Sequence, residues 1–165
     1  MTRLGSFLYL RIKKDSQDAR FDVFKICQLS WMGCWSVQAI WVIMIQLPIL
    51  LINEKDDSAS CSVKDYVTLS LGLFLWVVGF ICETAADNEK FVFKCRPQNK
   101  GKYICQGIWR YSRHPNYFGE AVMWWGIWII SCGTKDGWIT VWSCIFITFF
   151  LRFVSGVPFP EAKYA

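Results

Sequence analysis

Residues 29–52 form an unbroken stretch without one charged side chain. A helix needs about 20 mostly apolar residues to cross the ~30 Å hydrocarbon core of a bilayer. This window meets that length, with Trp31, Trp35 and Trp41 toward one end and Pro48, an expected kink, toward the other. Three further apolar windows follow, giving expected transmembrane helices at 28–52, 66–83, 117–132 and 137–155. The third encloses Glu120, and Arg152 stands near the end of the fourth, placed to snorkel. Apolar residues make up 54% of the chain and charged residues 19%, with ten Trp and thirteen Phe, too apolar a set for the surface of a small soluble domain. The expected fold is therefore all-α. It is a single membrane domain and a multi-span integral membrane helical bundle, with about four transmembrane helices.

The charges lie in bands between these windows. Arg3, Arg11, Lys13, Lys14, Arg20 and Lys25 precede the first. Lys90, Lys94, Arg96, Lys100, Lys102, Arg110 and Arg113 lie between the second and third, and Lys163 lies in the tail. The loop after the first window balances Glu54, Asp56 and Asp57 against Lys55 and Lys64, and the loop after the third offers Lys135 and Asp136. Positive charge marks the cytoplasmic side. Segment 1–27, loop 84–116 and both termini are thus expected in the cytosol. The net charge of +5 sits beside apolar spans, so the expected partner is a lipid bilayer and not nucleic acid. The N-terminal segment has no continuous apolar core, so no signal peptide is expected. None of the eight Cys forms a CxxC pair, and Cys61 alone lies in an expected lumenal loop. Cysteines inside apolar spans behave as small hydrophobes. With His114 the only histidine, no metal site is expected.

Loop 84–116 is long for a connector. It mixes the basic residues with Phe91, Phe93, Tyr103, Trp109 and Tyr111, expected to pack on the bilayer surface, and has turn-permitting glycines at 101 and 107. Phosphate recognition favours cations and free amides at a helix amino terminus. The stretch from Arg113 to Asn116 lies where the third window begins, and Pro115 suits a first helical turn. Arg110 and Arg113 carry guanidinium forks for phosphate, Lys102 a point charge. Asn116 offers a donor and an acceptor, and one turn on it shares a helix face with Glu120. An acid inside a span usually faces a cavity or a partner. Plainer readings stand beside these. A basic loop serves topology and lipid headgroups, and His114 is an interfacial residue. Glu83 and Asp87, one turn apart, are either a solvated helix end or a second wall of the same site.

The string from Gly107 to Glu120, GIWRYSRHPNYFGE, resembles the hallmark of a family of membrane reductases. These are proteins of unknown function (DUF1295-like) related to the carboxy-terminal domain of steroid 5-alpha-reductases. Matching elements recur in order along nearly the whole chain: RLGSF at 3–7, DARFD at 18–22, Ala86-Asp87, Lys90-Phe91, Phe93-Lys94 and NKGK at 99–102. The resemblance implies helices whose cytosolic loops and ends enclose NADPH, and reduction of an activated carbon–carbon double bond in a steroid-like or other lipophilic small-molecule substrate. It implies residence in the endoplasmic reticulum. By motif position, Asp87, Lys94, Lys102 and Asn116 are expected among the cofactor contacts, with Glu120 close behind as a supporting residue. Arg110 and Arg113 join them from charge and place, and His114 and Tyr117 complete the expected cofactor contacts. Lys94 and Lys102 stand where steroid reductases tend to use arginine, and Glu83 where they use an amide.

Against that family pattern the chain is expected to be a fragment or shortened isoform. It starts at what resembles the middle cytosolic loop and stops soon after the fourth window. The first rival function is an S-adenosylmethionine-dependent membrane methyltransferase of the isoprenylcysteine or phospholipid type, which shares an Arg-His-Pro-x-Tyr element. Such enzymes usually carry a later Glu-Glu pair, not found here. The second rival is a non-catalytic membrane protein.

Overall fold

A computed structural model of the chain describes Gly5, Tyr9 and Lys13, and residues 28–54, 62–99 and 101–154. The rest of the expected cytosolic segment 1–27, with the motif matches at 3–7 and 18–22, lies outside the described residues. So do Cys61, Lys100 and the tail with Lys163. Among the described residues all regular structure is helical: α1 (Gln28–Asn53), α2 (Val63–Cys95), α3 (Pro115–Ser131), α4 (Val141–Phe149) and a π-helical turn (Phe150–Val154). Short 3-10 turns stand at Pro97–Asn99, Gly107–Arg110 and Gly137–Thr140. Contacts divide the chain into units 1–42 and 43–165, a boundary that falls within α1.

In the first unit, α1 exposes Leu29, Met32 and Trp35, with Trp31 and Trp35 in edge-to-face contact at 5.8 Å. In the second unit, Pro48 is fully buried inside the last turns of α1. Its ring removes the amide that would otherwise bond the Met44 carbonyl.

Helix α2 starts at Ser62, whose amide donates to the Asp65 carboxylate at 3.0 Å. It ends because Pro97 drives Arg96 into an extended conformation (φ −84°, ψ 120°). The Asn99 side-chain amide then donates to the Phe93 carbonyl at 3.0 Å and closes the terminus. With 33 residues the helix is about 50 Å long, well beyond a bilayer core. The window expected at 66–83 therefore does not end the helix. Residues 84–95, expected as loop, continue it as a charged extension.

Helices α2 and α3 pack antiparallel through glycines spaced by a heptad. A Cβ on Gly72 would lie 2.5 Å from the Gly126 carbonyl oxygen, and one on Gly79 2.6 Å from that of Gly119. The reverse contacts are as tight, at 2.6 Å for Gly126 and 2.7 Å for Gly119. Only residues without side chains let the two backbones meet this way. One heptad further along α2, Ala86 is fully buried.

At the end of this pair far from the basic loop, the Ser131 hydroxyl is the hub of a buried polar knot. It donates to the Trp128 carbonyl at 2.7 Å and lies 3.0 Å from the Thr140 hydroxyl, which bonds the Gly137 carbonyl at 2.7 Å. From there α4 returns along α3, burying Ser143, Cys144 and Ile147 at helical spacing. The Trp125 indole donates to the Thr148 hydroxyl at 3.2 Å and the Cys144 thiol to the Trp124 carbonyl at 3.2 Å. Arg152 lies in the π-helical turn, 5.8 Å from the Phe153 ring.

Two helices, Gln28–Asn53 and Val63–Cys95, are long and apolar enough to cross a membrane. The third and fourth expected spans correspond to α3, of 17 residues, and to the shorter apolar helix at Gly137–Phe153. The described residues are thus all-helical, with two candidate membrane-crossing helices among them.

Candidate functional site

The charged extension of α2 serves two neighbouring faces. Ala86, Glu89 and Lys90 hold the segment 106–111. Glu83 and Asp87 lie toward the first turns of α3.

The held segment turns at Gly107, whose φ of +58° lies in the left-handed region that glycine tolerates. A Cβ at this position would strike the Glu89 carboxylate. That carboxylate accepts the Ile108 amide at 3.1 Å. The next residue, Trp109, is buried, and its indole N–H donates to the Ala86 carbonyl at 3.0 Å. The Lys90 Nζ stands 4.8 Å from the Trp109 ring centroid, a cation–π contact. Trp109 was expected on the bilayer surface with the other loop aromatics; instead it pins the loop to α2. Tyr103 and Tyr111 are exposed.

The loop then reaches α3. Ser112 Oγ accepts the His114 amide at 3.2 Å, His114 is the N-cap, and Pro115 fills the first helical position. The His114 ring stacks on Tyr117 at 5.4 Å with the planes 9° apart. Pro115 is buried, and its carbonyl lies 3.6 Å from the Cys82 thiol of α2. Asn116 is half-buried, and its Oδ1 is a buried acceptor without a hydrogen-bond partner. One turn later Glu120, also half-buried, lies within Coulombic reach of Glu83 and Asp87. The close Gly79–Gly119 contact explains this meeting, because it sets the Glu83 backbone 2.7 Å from a Cβ built on Gly119.

The expected residues therefore fall into two sets. Glu83 and Asp87 lie within Coulombic reach of Glu120. Asn116, His114 and Tyr117 sit in the adjoining first turn of α3. The expected cations all have exposed side chains: Lys94 in the last turn of α2, Lys102 after the turn at Gly101, Arg110 closing its 3-10 turn, and Arg113 just before the N-cap. Sequence reasoning missed Ala86, Glu89 and Lys90 as holders of the loop. The available signal was the spacing of Ala86, Glu89 and Lys90 along one helical flank, visible only once residues 84–95 are taken as helix.

This arrangement can bind a ligand with two chemistries. Carboxylates and the Asn116 Oδ1 accept hydrogen bonds from amide, amine or hydroxyl groups, and the exposed cations attract an anion. Among the described residues no group of three or more His, Cys, Asp or Glu has the arrangement to hold a metal ion.

Residues 1–165 match the family described as "Protein of unknown function (DUF1295)". Among curated proteins, the chain is similar to one from Ustilaginoidea virens called "Probable O-methyltransferase ustE", at 34% identity over 69 residues. That alignment covers 42% of this chain and 24% of the relative, so the chain spans about a quarter of that relative's length. No solved structure matches the chain.

Proposed function

The chain belongs to the DUF1295 family, and we propose that it is a membrane-bound, NADPH-dependent oxidoreductase that reduces a carbon–carbon double bond in a steroid-like or other lipid substrate. The observation that carries this reading is the unsatisfied, buried Asn116 Oδ1 one turn from Glu120, which lies within Coulombic reach of Glu83 and Asp87; exposed cations follow in the loop that leads to Asn116. A dinucleotide has both complements. Its carboxamide and ribose groups donate hydrogen bonds, and its phosphates are anionic. The residues present fit it. Asn116 and Asp87 would take the donors, with Glu120 in support. Lys94, Lys102, Arg110 and Arg113 would take the phosphates, and His114 and Tyr117 would form a flat wall at the α3 start. Bound there, NADPH would supply the hydride.

The chain's own contribution is binding, orientation and exclusion of water. Exposed apolar side chains along α1 and α2, among them Leu29, Ile43, Leu50, Phe74 and Ile81, suit a lipid surface, with the charged extension of α2 in the cytosol. A lipophilic substrate would then reach the site from the bilayer, while the anionic cofactor stays at the aqueous edge. Residence in the endoplasmic reticulum belongs to this reading.

A second reading is favoured by the similarity to the protein named an O-methyltransferase. S-adenosylmethionine carries a sulfonium and an ammonium, which the carboxylate trio would attract, but it leaves the exposed cations without a role. A non-catalytic role is the third outcome. Titration of purified protein with NADPH and, separately, with S-adenosylmethionine decides among them. Saturable NADPH binding with thermal protection is expected. Protection by S-adenosylmethionine alone would overturn the reductase reading, and protection by neither would favour a non-catalytic protein.

A further inference from the structure

The contact between Glu89 and the Gly107–Ile108 peptide joins residues far apart in sequence and fixes the loop that leads into the site. The Glu89 carboxylate accepts the Ile108 amide at 3.1 Å and occupies the space a side chain at 107 would need. Glycine at 107 thus answers two demands at once, a left-handed φ of +58° and room for the carboxylate. Two residues on, the buried Trp109 and its bond to the Ala86 carbonyl continue the seam. Arg110 closes the same 3-10 turn, and Arg113 and the α3 N-cap follow within one short connection. Whatever fixes residues 107–109 therefore fixes where both guanidinium groups and the first turn of α3 begin.

We propose that Glu89 is a positioning residue for the nucleotide ligand: it holds segment 106–111 on α2, and so sets both guanidinium groups and Asn116 in register with the carboxylates. The proposal rests on the nucleotide-binding reading above. Glu89 itself touches the loop and acts on the ligand through it. A hydrogen bond from an amide to a charged acceptor outweighs one to a neutral acceptor. Glutamine keeps an acceptor oxygen of nearly the same shape, so it restores part of the function, and alanine removes it.

The test uses the full chain in detergent, with Glu89→Ala and Glu89→Gln, and reads two properties. The first is amide hydrogen exchange at Ile108 and Trp109, with trypsin cleavage after Arg110. The second is affinity for NADPH, and for S-adenosylmethionine in parallel. Glu89→Ala is expected to speed exchange at these amides about tenfold, with α2 and α3 otherwise unchanged, and to weaken binding by about the same factor. Glu89→Gln should stay within about threefold of wild type in both. Should Glu89→Ala fail to fold, Glu89→Gln carries the test: a loss of about two- to threefold is expected in both properties, and an unchanged value in either overturns the positioning role. Wild-type exchange in Glu89→Ala, or a loosened loop with unchanged affinity, overturns the positioning role. A wild-type chain that binds neither nucleotide overturns the binding reading, and leaves Glu89 a structural residue only.

Discussion

Asn116 keeps a buried carbonyl oxygen with nothing to accept, a condition that costs a protein about 1–3 kcal/mol. A group held at such cost in the first turn of a helix, one turn from Glu120, invites a ligand donor. Asn116→Ala is therefore expected to weaken NADPH affinity about tenfold, equivalent to ~1.4 kcal/mol. The same variant without ligand should be as stable as wild type or more so, because it removes an unsatisfied polar group. A parallel loss of thermal stability would assign Asn116 a structural role instead. Residue spacing made this half of the site legible: Asn116 with Glu120, and Glu83 with Asp87, share faces by simple helical periodicity. Spacing says nothing of a partner that arrives by fold-back, and Glu89 meets Ile108 only because the loop doubles over α2.

The α2–α3 seam is built from paired absences of side chains. Gly79→Ala would push a methyl group toward the Gly119 carbonyl at 2.6 Å and the Met123 amide nitrogen at 2.8 Å, backbone atoms that cannot swing aside as the Met123 side chain can. The expected cost is about 1–3 kcal/mol, as for overpacking, read as a lower midpoint in thermal unfolding in detergent. Gly33 is the internal control, since a Cβ there has nothing within 4 Å. Gly33→Ala should instead stabilise, by at most about 1 kcal/mol from helix propensity. Equal effects of the two substitutions would mean that the seam is not close-packed. The apolar windows revealed α1, α2 and α3 by composition alone. The helical continuation through 84–95 was hidden because hydropathy stops at Glu83, whereas the small-residue heptad runs on from Gly72 and Gly79 to the buried Ala86. Packing, not hydropathy, carries α2 past Glu83, and Pro97 ends it.

At the scale of the molecule, the proposed orientation puts the basic loop in the cytosol and the knot around Ser131 on the opposite side. In sealed microsomes an impermeant maleimide should label exposed Cys105 directly. With Cys27, Cys61, Cys95 and Cys105 replaced by Ser, Asp136→Cys should react only after permeabilisation; its labelling in sealed vesicles would refute the arrangement. The proposed orientation rests on charge banding. It left open that the loop is seated on a helix that outreaches the bilayer. Backbone against backbone at two levels a heptad apart, the α2–α3 pair is keyed like a lock along its axis. Sliding by one turn, about 5.4 Å, would drive bulky side chains into the positions the glycines leave vacant. The two helices that carry Asp87 and Glu120 therefore move as one body, and under the proposed function a lipid would enter along a different seam.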